Sequence, residues 1–170
     1  QIKDYVNRSR WNKPASTLSI QVVVSPECCS LGDALRDIDS KSLITGDFVL
    51  CSGDVVSNLN ISTLLRRHQL RRKADKNVIM TMLLKECDPR HRTREHAEGA
   101  IFVLDPTNNE CLAYLPVDSE ERDKRHDVAM ECMEKQKAVS CRYDLMDCEI
   151  DICAQNVLAL FTENFDYMDI

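Results

Sequence analysis

The sequence predicts an α/β protein built on an open, doubly wound, mostly parallel sheet. Short apolar runs at LSIQVVV (18–24), FVLC (48–51) and VIMTMLL (78–84) have strand length and strand composition. Segments of helical periodicity stand between them. The runs at 48–51 and 78–84 are continuous rather than alternating, as expected of strands covered on both faces. Strand, helix, strand, helix, strand is the order of βαβ units, whose crossovers are almost always right-handed.

Each element has a local cause. Ser30 opens the first helix, and Asp33 three residues on makes a variant capping box. Leu31, Ala34, Leu35 and Ile38 then form one apolar stripe. Residues 47–52 give the second strand, which stops at Gly53-Asp54, where the glycine would free the backbone. Asn60 caps the second helix, with Ile61, Leu64, Leu65 and His68 at i, i+3, i+4 and i+7. Further on, 100–104 and 111–115 flank DPTNNE and read as a hairpin or two adjacent strands. Residues 116–138 are charged and poorly periodic, the pattern of a loop or insertion. LMDCEIDIC (145–153) alternates like a half-buried strand, and 156–161 is a short helix. There is no internal repeat.

A chain of 170 residues, 44% hydrophobic and 29% charged, suits one globular domain. Its net charge of −6 disfavours nonspecific nucleic-acid binding by the whole-chain field. Locally, RRHQLRRKADK (66–76) is basic, whereas 143–170 carries acidic side chains and no Lys or Arg. The cysteine count of 9 is odd and contains no Cys-x-x-Cys pair, which fits packed thiols in a reducing compartment. No apolar run reaches membrane-spanning length, and QIKDYVNRSRW has neither an initiator Met nor a signal-peptide core. A cytoplasmic (cytosolic) protein is expected, in the form of a piece excised from something longer. The Asn-x-Ser patterns at Asn7 and Asn60 are then coincidental.

The segments SLGDALRDID (30–39), FVLCSGDVVSNLNI (48–61), LRRKADKNVIMTML (70–83), RYDLMDCEIDIC (142–153) and FTENFDY (161–167) resemble the epsilon-subunit family of the eukaryotic translation initiation factor two B complex. The resemblance thins only around 116–138. It implies a truncated nucleotidyltransferase-like, Rossmann-type pyrophosphorylase domain lacking its first strand and amino-terminal loop. It also implies a complex that exchanges GDP for GTP on initiation factor two, with the exchange activity in a carboxyl-terminal helical domain beyond a β-helix, neither of which falls in 1–170. This segment would then be an assembly scaffold. Its implied partners are the gamma subunit first, then the alpha, beta and delta regulatory subunits, with initiation factor two reached through other domains.

The same resemblance bears on Asp54. In active sugar nucleotidyltransferases an Asp at the end of this strand helps hold Mg²⁺, because a hard cation takes oxygen ligands and offsets phosphate charge. Here Asp54 is expected to be a relic nucleotide/Mg²⁺ position, with no cofactor, metal or catalytic residue assigned. Asn58 and Asn60 read as turn and cap residues. Cys87, His91 and His96 cluster within CDPRHRTREH but supply only three of the four ligands of a structural zinc site. Cys148 and Cys153 would face opposite sides of a regular strand. The basic helix reads as a solvated face or as a surface for an acidic partner. Direct RNA binding is not expected, since no aromatic side chain interleaves the run. The rival functions are an active sugar-nucleotide pyrophosphorylase and a nucleotide sensor without turnover.

Overall fold

A computed structural model describes residues 1–13, 17–88, 91, 99–117, 128–129 and 137–170. They gather in two compact units, residues 1–45 with 155–170, and residues 46–154.

The first unit is helical. It holds α1 (Ile2–Arg8), a 3-10 turn (Arg10–Asn12), α2 (Leu31–Ser40) and α4 (Asn156–Glu163). Ser30 caps α2 by accepting from the Asp33 N–H at 3.1 Å, and the Asp33 carboxylate reaches back to the Cys29 N–H at 3.1 Å. The Arg36 guanidinium first, then the Cys29 N–H and the Ser30 hydroxyl, hold the Asp33 carboxyl down at about 2. Packing of α2 on α4 buries Leu35 from one helix and Val157, Leu158 and Phe161 from the other. Arg36 ties this unit together. It donates to the carbonyls of Phe161 at 3.1 Å and Tyr167 at 3.2 Å, so a cation meets the carbonyl end of α4.

The second unit contains two three-stranded sheets. One has the order β1 (Phe48–Cys51), β6 (Leu145–Cys153), β2 (Met80–Glu86), with β6 antiparallel to both neighbours. The other has the order β4 (Cys111–Val117), β3 (Gly99–Leu104), β5 (Ser140–Arg142), also antiparallel throughout. The fold is therefore mixed α/β with antiparallel sheets, which corrects the expected doubly wound parallel sheet. The cause lies in β6. Strands β1 and β2 do run the same way and are joined through α3 (Ile61–Ala74), but β6, almost a hundred residues later, pairs between them. Local periodicity carries no signal for an insertion of that kind.

The expected strand at 18–24 belongs to no sheet among the described residues. Its β-branched side chains favour extension, but a strand also needs a ladder partner, and Val24 is 70% exposed. The 3–4 hairpin forms as expected. Asp105 accepts from the Thr107 N–H and Oγ1 at 2.7 Å each, and Asn109 takes a left-handed φ of 58°. Pro116 is tolerated because β4 is an edge strand. Apart from Pro116 and Val117 at the end of β4, and residues 128–129 and 137–138, the loop or insertion expected at 116–138 lies outside the described residues. The core of this unit packs Ala100, Phe102, Leu104 and Leu145 against Met82 and Leu84.

Candidate functional site

Asp54 sits where β1 leaves the sheet. The Ser52 N–H donates to the Glu149 carbonyl at 3.2 Å, and the Val55 N–H donates to the Ser52 carbonyl at 3.4 Å. Gly53 and Asp54 form the exposed turn this closes. The glycine is not required there: no glycine has positive φ, and a Cβ on Gly53 would meet nothing within 4 Å. Among the described residues, no group of three or more His, Cys, Asp or Glu could hold a metal ion. Asn60 is the N-cap of α3, accepting from the Thr63 N–H at 3.1 Å.

The structure places its unusual carboxylates on β6. Pairing slips there: Met82 faces Asp151, but Leu84 faces Asp147. Glu149, at the centre of the slip, has a left-handed φ of 52°. Asp147 stabilises the bulge by accepting from the Glu149 N–H at 2.8 Å. Asp151 is 5% exposed and accepts from the Leu83 N–H, while its Oδ1 has no partner among the described residues. Burial, followed by the nearby charge of Asp147, pushes the Asp151 carboxyl up to about 7. Asp147 is itself raised, chiefly by burial. Sequence reading missed this pair, although an Asp between Ile150 and Ile152 in an apolar strand was the available signal.

On the opposite face, α3 brings its His68 against β2. His68 is fully buried, its Nδ1 lies 2.8 Å from Thr81 Oγ1, and its Nε2 has no partner among the described residues. Desolvation lowers its pKa, and the nearby Asp47 opposes that shift. One turn on, Arg72 forms an ion pair with Asp47. Arg66, Arg67, Arg71 and Lys73 are exposed, whereas Arg72 is turned inward onto Asp47.

The cysteines and histidines singled out in the sequence are dispersed. Cys87 is buried and His91 exposed, whereas His96 lies outside the described residues. None of the described cysteines forms a disulfide. Cys148 is half-buried and Cys153 fully buried, and the left-handed Glu149 between them breaks the alternation assumed for a regular strand. Burial pushes the Cys153 thiol up to about 12 and raises Cys111 and Cys148, opposite to the shift of an activated nucleophile. No described helix is long and apolar enough to cross a membrane.

The described segment is mixed α/β, and its buried groups Asp151 and His68 lie on opposite faces of one sheet. Its relatives are translation initiation factor subunits. The chain is 49% identical over its whole length to translation initiation factor eIF2B subunit epsilon of Schizosaccharomyces pombe, and 40% identical to that of Dictyostelium discoideum. It is therefore homologous to a segment of eIF2B subunit epsilon, and it spans about a quarter of the length of these curated relatives. No protein-family model matches the chain.

Proposed function

We propose that this chain is part of a subunit whose complex catalyses GDP/GTP exchange on initiation factor two, and that the segment is a scaffold for subunit assembly. The observation that carries this reading is the whole-length identity of 49% and 40% to epsilon subunits of eIF2B. Under it, the segment is part of one nucleotidyltransferase-like domain in which 116–138 is a loop or insertion. The same-direction pair β1 and β2, joined through α3, supports that fold. The exposed position of Asp54 outside any described carboxylate cluster supports a relic role over a catalytic one. The partners are the gamma subunit first, then the alpha, beta and delta subunits, in the cytosol. Initiation factor two is reached through regions outside 1–170.

The test is co-purification of the full-length subunit with gamma, with and without residues 46–154. Loss of gamma on deletion is expected, with no GDP release from initiation factor two by the 1–170 segment alone. Exchange by the segment would overturn the division of labour. Mg²⁺-dependent pyrophosphate release from a nucleoside triphosphate and a sugar phosphate, lost in Asp54→Ala, would establish the pyrophosphorylase reading instead.

A further inference from the structure

We propose that residues 147–151 form a proton-controlled latch in the β2–β6 ladder: a proton on Asp151 holds the ladder shut between Met82 and Leu84, and its loss lets that stretch open. Three features place the latch. The register slips between Met82 and Leu84, so regular ladder bonding is interrupted there. The Leu83 N–H at the interruption is taken by the Asp151 side chain. The second oxygen of that buried carboxyl has no partner among the described residues. A neutral acid tolerates this site with one accepted hydrogen bond. A carboxylate does not, because a buried charge requires pairing.

Among the described residues, the surroundings offer no relief. On β6 the titratable neighbours are Asp147, Cys148, Glu149 and Cys153; Glu149 is exposed and acts on Asp147 rather than on Asp151. Across the ladder on β2, Met82 faces Asp151; Lys85, farther along, acts on Cys148 and is not among the groups that shift Asp151. On β1, Leu50 lies opposite, followed by exposed Cys51. Strand β3 contributes the apolar Ala100, Phe102 and Leu104. The charged groups of α3 (His68, Arg71 and Arg72) lie on the other face. His68 contacts Thr81, whose partner Ile152 points away from its neighbour Asp151. Ionisation is therefore met by opening, which gives the carboxylate water. Asp147 reinforces this by placing a second negative charge beside it.

Amide hydrogen exchange on the full-length protein tests the latch. Where opening is fast and exchange reports its equilibrium, exchange rises about tenfold per pH unit from hydroxide catalysis alone. If opening releases one proton from Asp151, a further factor of about ten per unit is added between the ordinary carboxyl value of 3.8 and about 7. Peptides spanning 80–86 and 145–153 should show a log-rate slope near two from pH 5 to 7. Peptides of β3 and β4 should show a slope near one. Asp151→Asn should bring the first set to one, and Asp147→Asn should shift the upper end of the steep window to lower pH. A slope of one in the wild-type ladder, a steep slope kept in Asp151→Asn, or a steep slope shared by β3 and β4 would overturn the latch. The wild-type measurement decides even if Asp151→Asn fails to fold.

Discussion

Replacing Gly32 with Ala should detach the 164–170 segment from α2 while leaving the helix formed. A Cβ at this position would lie 2.1 Å from the Tyr167 carbonyl oxygen, and that atom is backbone, so the segment itself has to move. The movement breaks the Gly32 N–H bond to the Met168 carbonyl at 2.8 Å and the Arg36 bond to Tyr167 at 3.2 Å. It also parts the Phe161 and Tyr167 rings, whose centroids are 6.1 Å apart. At about 1 kcal/mol for the neutral bond, about 2 for the charged one and about 1 for the ring pair, the loss is roughly 4 kcal/mol. Better helix propensity returns about 1 kcal/mol, and chain entropy freed locally at Tyr167, about one residue's worth, returns about as much again. The net cost is therefore roughly 2 kcal/mol, or more than tenfold in the opening equilibrium. Limited chymotrypsin digestion of the full-length protein, following cleavage after Phe165 and Tyr167, measures it. Unchanged cleavage, or stabilisation by the ~1 kcal/mol that propensity alone would give, refutes the contact as drawn.

Phe102→Ala empties a fully buried position against Tyr114 and the Met82–Leu84 side of the core, and should cost about 3–5 kcal/mol in chemical denaturation. Asn60→Ala removes the α3 cap and should cost about 1 kcal/mol, with Asn60→Asp retaining most of it by the same assay. Asp54→Ala should leave stability within about 0.5 kcal/mol, because its carboxylate is exposed and in no described metal cluster. A thermal shift matching more than about 2 kcal/mol would show that Asp54 is structural after all.

What the sequence made legible was whatever has a local cause. The caps at Ser30 and Asn60 are single side chains meeting nearby N–H groups, and both lie where capping chemistry put them. The DPTNNE turn closes through Asp105 for the same reason. Strand β6 occupies residues 145–153 as predicted, but its burial is not alternating. It is the central strand, and its last residues are buried whichever face they lie on. That centrality follows from pairing with segments 60 to 100 residues away, which no short window contains. The same gap hid Asp151. Asp54 drew attention by position at the end of a strand, whereas Asp151 became unusual only once β2 and the bulge enclosed it.

His68 and Asp151 lie on opposite faces of one sheet, and their titrations pull its stability in opposite directions. His68 is lowered, so its stabilisation is complete above the ordinary value of 6.5 and is lost as pH falls from there toward its folded value. Asp151 is raised, so its stabilisation is complete below 3.8 and is lost as pH rises from there to about 7. At about 1.4 kcal/mol per pH unit, the second effect amounts to something on the order of 4 kcal/mol across its window. Where the windows overlap, just below 6.5, each proton the unfolded chain gains at His68 offsets one it loses at Asp151, and their combined slope is near zero. Single substitutions should unmask the two limbs. Relative to wild type, Asp151→Asn should lose stability on acidification below 6.5, and His68→Gln should lose it on going from pH 5 to 7. Denaturant midpoints across that range supply both difference curves, and parallel curves for the two variants would show that neither group titrates as its burial demands.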